Sequence, residues 1–547
     1  MSFVPLNVFK LSKRIFVIIL LGAVIVSCKK KDDSSSSSWF SFSNEELGNA
    51  ELIHAVTTSP EKMELFNKDS IAEFYFNRKF LPAWSDETLR EDFISTLQEA
   101  EHEGLFIEDY HGDRIIELSG NLKKLSDREK SEFDVILTDA FLKFGNHLLH
   151  GKLDPRELHE IWDTYRSEII VSQVLNEAVE KGDIETALKQ LRPTHPVYSQ
   201  LIASSKEYKD LASNFEEWYM ISLGDMIKHG KKDERIPEIR KRLQLLGYME
   251  NTDSLNTENT EDLQKAIGNF QGDNGLQADG IIGDSTIELL NKDYNRRYEQ
   301  ILVNLERWRW YPRDLGDHYV IVNIANFDLH VVKENDTVKT HRTMVGTEAR
   351  KTPVFSEEIK YLEFNPTWTI PPTIQNDDVI PGMRKNSNYL ANKKINVYDG
   401  SGNEVNPSSI NWSSEDAKNY TYRQNPGTTN PLGQVKIMYP NKYFIYLHDT
   451  PSQALFERNS RDQSSGCVRV EYAVELAKYL LSDQPEYTSN EIDNIIAAGA
   501  TKQVKMKQKV NVHHFYWTAW KENGNARFTA DIYDYDSKIW EALRKVI

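Results

Sequence analysis

Tyr446-Leu447-His448-Asp449-Thr450-Pro451 and, beyond 452–463, Ser464-Ser465-Gly466-Cys467-Val468-Arg469-Val470 form the stretch from which this chain is best read. A thiol attacks a carbonyl only as thiolate. It therefore needs an imidazole to take its proton and backbone donors aimed at the oxyanion that forms. His448 ends a predicted strand, and Cys467 follows a glycine, which lets the backbone approach a substrate closely and makes the Cys467 amide a natural oxyanion donor. Tyr446 lies two residues before His448 on that strand and so on the same face, where it serves either the site or plain packing. A cysteine and a histidine 19 positions apart are by themselves a weak signal. The whole string is a stronger one.

Outward from this stretch the sequence period is two. Val320, Val322 and Ile324 alternate, Leu329, Val331 and Val332 follow a turn, and 436–447 gives a further alternating run. The region 319–512 therefore reads as a mainly β domain, interrupted at about 384–425 by an Asn- and Ser-rich, lid-like excursion. Before it, 236–291 reads as three short helices. Their apolar faces are Ile239, Leu243, Leu246 and Tyr248, then Leu263, Ile267 and Phe270, then Ile287, Leu289 and Leu290, around the glycine-punctuated turn 274–283. Residues 39–235 carry apolar residues at helical spacing, such as Leu97, Ala100 and Leu105, then Ile136, Ala140, Phe141, Phe144 and Leu148. The segment 292–318 is expected to be a connector, and 513–547 to pack on the β domain 319–512 or the helical domain 39–235. The fold class is multidomain α+β.

The first segment reads as an export signal: Lys10, Lys13 and Arg14 precede the apolar run 15–26, too short to span a bilayer. Ile25-Val26-Ser27-Cys28 resembles a bacterial lipobox, which implies cleavage after residue 27 and a lipid on Cys28. The charged and serine-rich stretch 28–38 then serves as a flexible tether. The expected location is the cell envelope, lipid-anchored and facing the periplasm, with surface exposure left open. Cys467 is then the single remaining thiol, and no intramolecular disulfide can form. From the count alone, such a thiol is either buried and inert or kept for its chemistry.

Length and composition agree with several folded domains: 547 residues, 39% hydrophobic, 27% charged. The formal charge of -17, with no basic patch, argues against a nucleic-acid partner. His513 and His514 do not suggest a metal site, because adjacent strand residues face opposite ways and no cysteine or carboxylate set completes them. Phe515, Trp517 and Trp520 read as core or domain-interface aromatics.

His448, the fifteen intervening residues and Ser-Ser-Gly-Cys-Val-Arg resemble the active-site motif of the L,D-transpeptidases of bacterial cell walls, the YkuD-like catalytic domain, and particularly the large YcbB-type branch. Most of the wider family has a histidine before the glycine and an asparagine two after the cysteine. Ser465 and Arg469 stand there in this chain, as in the large branch. The unit 236–291, with Asp279-Gly280-Ile281-Ile282-Gly283 and Thr286, looks like a peptidoglycan-binding type 1 domain. Gly104-Leu105, Asp109-Tyr110-His111 and Leu137-Thr138-Asp139-Ala140-Phe141 are similar to the branch's scaffold domain. Asn365-Pro366-Thr367-Trp368-Thr369 and 424–433 look like further catalytic-domain segments.

The resemblance implies that Cys467 attacks the carbonyl of the third residue of a tetrapeptide stem and releases D-Ala. The side-chain amine of a second stem then resolves the thioester into a 3→3 cross-link. His448 would move the protons, a backbone carbonyl near Ser464 or Ser465 would orient it, and the Gly466 and Cys467 amides, with Tyr446, would hold the oxyanion. Arg469 is placed beside the site as a carboxylate or loop anchor, and Trp368 and Trp412 either flank the substrate channel or simply pack. No metal or organic cofactor is expected, and carbapenem acylation of Cys467 is. The expected partners are stem peptides and glycan, the membrane through the lipid, and possible other wall-synthesis proteins. Two alternatives remain at this point: an L,D-carboxypeptidase or endopeptidase with the same site, and a catalytically silent peptidoglycan-binding lipoprotein. The middle domain either binds wall polymer or braces the scaffold.

Overall fold

The computed structural model describes residues 44–58, 63–163, 165–214, 218–250, 255–522 and 524–546. The expected signal 1–27, Cys28 and the tether fall outside these residues. No helix among the described residues is long and apolar enough to cross a membrane.

The N-terminal part is helical and is organised around Asp127–His150, which a capping box of Ser126 and Glu129 starts. This helix is buried nearly all round, as a central helix must be, and Ile136, Ala140, Phe141, Phe144 and Leu148 all lie in its core. Its buried acids are paid for by backbone donors: Asp139 accepts from Phe66 N and Asn67 N, and Asp134 from Ala83 N and Trp84 N. His111 Nε2 lies 2.8 Å from Asp139, so the segments 109–111 and 137–141 meet in one polar network.

The middle unit is three helices, Ile236–Leu245, Glu261–Asp273 and Asp284–Leu290, around one apolar core. Gln271 pins the turn between the last two: its Nε2 donates to Ile281 O (2.8 Å) and its Oε1 accepts from Gly280 N (2.8 Å).

The segment read as a connector is instead the helix Tyr294–Trp310, buried over most of its length. Its arginines obscured this in the sequence, because two of them, Arg307 and Arg309, are neutralised inside the protein. Arg309 pairs with Glu306 at 2.6 Å and Arg307 with Asp536 at 2.6 Å. The helix Pro196–Ser213 packs on it, and Tyr198 and Leu201 belong to the core of the β domain, although they precede the middle unit in sequence.

The eleven-stranded sheet runs Lys502–Lys505, Tyr361–Phe364, Val435–Met438, Leu447–His448, Val468–Val470, Asp336–Gly346, Asp328–Lys333, His318–Asn323, Asn511–Phe515, Phe355–Glu358, with Asp462–Ser464 pairing on Asp336–Gly346. The run 436–447 is not one strand but two antiparallel ones, joined by a turn in which Phe444 takes φ +58°. The C-terminal segment begins inside the sheet, since 511–515 pairs in parallel with 319–323. It ends in the helix Asp536–Leu543 against Tyr294–Trp310, and Lys152 Nζ bridges Asp109 (2.6 Å) to the Leu543 carbonyl (2.7 Å). It thus ties the β domain to the helical one. His513 is held by Ser356 Oγ and Leu315 O, His514 by Tyr439 OH, and Phe515 and Trp517 pack on Trp308.

The lid-like excursion is wider than its sequence suggests. A four-stranded sheet, Trp368–Thr369, Thr421–Gln424, Ile395–Tyr398 and Glu404–Val405, encloses its own core with Ile370, Val379, Ile380, Leu390 and Tyr422.

Candidate active site

One face of the main sheet is apolar and covered by the helices Ala473–Leu480 and Ser489–Ala497. Val435, Ile437, Leu447, Val468 and Val470 point into that core together with Leu476, Leu480 and Ile492. Strand alternation therefore turns Lys436, Tyr446, His448, Cys467 and Arg469 to the other face. Register brings them side by side: Lys436 is opposite His448, and His448 is opposite Arg469. Val468 N donates to Tyr446 O, which sets Cys467 beside Tyr446. His448 thus lies one strand over and two residues along from Cys467, about 8 Å between Cα atoms by ordinary strand spacing.

Cys467 is half-buried, and desolvation pushes its thiol up, opposed by Tyr446, then by the charges of Lys436 and Arg469. Its Sγ lies 3.8 Å from the carbonyl of Phe444, the exposed residue in left-handed backbone on the turn before Tyr446. Tyr446 faces both the sulfur and the Trp368 side chain, and burial raises its hydroxyl well above the usual range, so it stays a donor. His448 is buried and pushed down to about 3, by desolvation first and then by the Arg469 and Lys436 charges. The resting site is therefore a neutral imidazole beside a neutral thiol.

The residue that orients His448 is its own successor. Nδ1 lies 2.6 Å from the Asp449 carbonyl, which makes Nδ1 the protonated nitrogen and leaves Nε2 basic. The expectation of a carbonyl near Ser464 or Ser465 is corrected accordingly. Ser464 and Ser465 are engaged elsewhere. Ser464 Oγ donates to Cys467 O (2.6 Å) and accepts from Gly466 N (3.1 Å), while Ser465 Oγ accepts from Arg350 Nη1 (3.0 Å). The Gly466 amide is thus occupied, and the Cys467 amide, with no acceptor among the described residues, is the donor left in the motif.

Gly466 has φ +111°, a conformation that side-chain-bearing residues rarely adopt. Its carbonyl accepts from Thr352 Oγ1 (2.8 Å), which in turn accepts from Gly346 N (2.8 Å), and Tyr533 OH donates to Gly346 O (2.6 Å). Gly346 faces this loop so closely that a Cβ there would lie 2.0 Å from Arg350 O and 3.0 Å from Gly466 Cα. Gly346→Ala is expected to displace the loop that carries Cys467 and lower turnover at least tenfold. A variant with wild-type turnover would show that this packing does not hold Cys467.

Arg350 also spans to the excursion, reaching Asp378 (2.9 Å) and Asp377 (3.3 Å) while it holds Ser465, so the excursion is fastened to the cysteine loop. Trp368 joins the site through Tyr446. Trp412 does not: its indole N–H donates to Pro407 O (3.1 Å) and its ring packs near Tyr422 within the excursion. Arg469 faces the site with its Nε buried and without a partner among the described residues, and Nη1 lies 4.0 Å from Met344 Sδ. Among the described residues no group of three or more histidine, cysteine or carboxylate side chains is arranged to hold a metal. Sequence reasoning missed Lys436, Thr352, Tyr533 and the Asp449 carbonyl. Only Lys436 left a trace, as a cation alternating with Val435 and Ile437.

Residues 317–511 match the sequence model described as the L,D-transpeptidase catalytic domain, 69–204 that of the scaffold domain, and 232–290 that of the "Putative peptidoglycan binding domain". A protein of Haemophilus influenzae named "Putative L,D-transpeptidase" is 35% identical over 256 residues. The match covers 46% of this chain and 52% of that one, so this chain spans about half the length of the relative. Among solved structures, L,D-transpeptidases of Xylanimonas cellulosilytica and Stackebrandtia nassauensis are each 13% identical. They cover 54% and 55% of this chain, and 99% and 98% of their own, with TM-scores of 0.19 and 0.21.

Proposed function

From a chain that carries an L,D-transpeptidase catalytic domain with scaffold and peptidoglycan-binding domains, an organisation that fits the large YcbB-type branch, we propose a lipid-anchored cell-wall enzyme that forms 3→3 cross-links through a Cys467 thioester. The observation that carries the proposal is the shared sheet face on which register sets Tyr446, His448, Cys467 and Arg469 together. In the first half-reaction Nε2 of His448 takes the thiol proton as sulfur bonds to the carbonyl carbon of the third stem residue. Collapse of the tetrahedral adduct breaks that residue's bond to D-Ala, whose amine leaves with the proton from His448. In the second, the side-chain amine of another stem attacks the thioester, His448 receives its proton, and the thiol is regenerated. The Cys467 amide and the Tyr446 hydroxyl would donate to the oxyanion, and the free guanidinium edge of Arg469 suits a stem carboxylate. The excursion fastened by Arg350 would keep water from the thioester, which favours transfer over hydrolysis. Cys28 would carry the lipid, with the folded part in the periplasm.

Purified disaccharide-tetrapeptide incubated with the protein tests this by product mass. The expected product is a dimer lighter than two substrates by one D-Ala. Tripeptide monomer with free D-Ala and no dimer would make the protein an L,D-carboxypeptidase, and no D-Ala at all from folded protein would leave a wall-binding lipoprotein. A carbapenem is expected to add its own mass to the protein at Cys467, because its strained ring presents the same carbonyl electrophile.

A further inference from the structure

We propose that Lys436 is the counter-charge of the Cys467 thiolate, acting across the face of Tyr446. The inference rests on the reading of Cys467 as a nucleophile. Lys436 is the direct cross-strand neighbour of His448, on the strand opposite to the one that carries Arg469. Its side chain lies over Tyr446, with Nζ 3.9 Å from the centre of the ring. Tyr446 in turn abuts the sulfur, so ammonium, ring and thiol lie in sequence. Among the described residues Lys436 makes no salt bridge, and the nearest carboxylate, Glu363 on the adjoining strand, is held by Gln503 Nε2 at 2.6 Å. A half-buried ammonium without a bonded carboxylate is costly unless an anion forms beside it.

The site needs such a cation. His448 rests neutral, so before the proton moves no imidazolium faces the sulfur. When the S–H bond breaks, the electron pair stays on sulfur and the proton goes to Nε2, so the thiolate then faces the new imidazolium and Lys436, which gives up no proton in this step. The charged and titratable groups facing the sulfur are Arg469 beyond it on its own strand, Tyr446 and His448 on the next, Lys436 and Tyr439 on the one after, and Glu363 beyond. Lys436 and Cys467 bias each other's titration, and the alkaline midpoint belongs to the pair. Arg469 is the second cation, but its side chain turns toward Met344, on the side away from Tyr446.

The test is the pH dependence of Cys467 alkylation by iodoacetamide, followed by intact mass on the full chain carrying Cys28→Ala, which leaves one thiol. Lys436→Met should raise the midpoint by about one unit and slow alkylation at neutral pH about tenfold, and Lys436→Arg should restore most of the shift. Glu363→Gln, which removes the carboxylate competing for Lys436, should lower the midpoint. An unmoved midpoint in Lys436→Met, or an equal rise in Lys436→Arg, overturns the assignment. If Lys436→Met fails to fold, Glu363→Gln decides by itself: a lower midpoint supports the assignment and an unchanged one overturns it. Alkylation requires no stem peptide. A chain that shows these shifts yet forms no cross-link would sink the transpeptidase reading and leave Lys436 in its role.

Discussion

Cys467→Ala is expected to abolish both D-Ala release and dimer formation, by about 10⁴-fold or more, with the melting temperature nearly unchanged. The half-buried sulfur fills little of the core and lies against the Phe444 carbonyl and Tyr446, so its removal costs mainly chemistry and little packing. His448→Gln should behave differently. It removes the base but leaves Tyr446, the Cys467 amide and Lys436 around the sulfur, so the loss should stop at about 10²- to 10⁴-fold. The two together should cost little more than Cys467→Ala alone, because they serve one step. D-Ala release that survived in Cys467→Ala would sink the nucleophile assignment. Release that survived undiminished in His448→Gln would move the base elsewhere.

The parts of this molecule that were legible in its sequence are those whose information is local. His448 and Cys467 could be named because a strand end and a Gly-Cys turn are short-range features. The helical core around Asp127–His150 and the three-helix unit follow from apolar spacing alone, down to Ile287 and Leu290. What stayed hidden depends on pairing between distant segments. Lys436 becomes a neighbour of His448 only through register, and Thr352 meets Gly466 only because Gly346 lacks a side chain. The helix Tyr294–Trp310 lies in what reads as a connector, since the partner of its Arg307, Asp536, is far along the chain, while Arg309 is matched by Glu306 close by. The role of Asp449 was missed for a different reason. A backbone carbonyl leaves no mark on residue identity, and only the bend after His448 selects it.

Acidification should unfold the protein well before it titrates the His448 imidazole. His159, His448 and His514 are pushed down to about 3 and His513 to about 4, in each case chiefly by burial. All four are almost fully buried, and among the described residues neither ring nitrogen of His159 has a partner. Their folded pKa values lie below the unfolded value of about 6.5, so the unfolded chain binds more protons below that pH. Their contribution is intact above pH 6.5 and is lost as pH falls toward 3, for His513 toward 4. At pH 5 each costs about 2 kcal/mol, on the order of 8 kcal/mol for the four, which is comparable with a whole domain's stability of about 5–15 kcal/mol. Asp134, Asp449 and Asp536, raised by burial, work in the opposite sense as they protonate, which softens the fall without reversing it. Melting temperature should therefore drop steeply between pH 6.5 and 5, and activity should vanish along the melting curve. In His514→Gln, which keeps an acceptor for the Tyr439 hydroxyl, proton uptake on unfolding near pH 5 should shrink by about one. A melting temperature that stayed level down to pH 5 would mean these imidazoles take up protons in the folded state. His448 could not then be the neutral base on which the thiol chemistry depends.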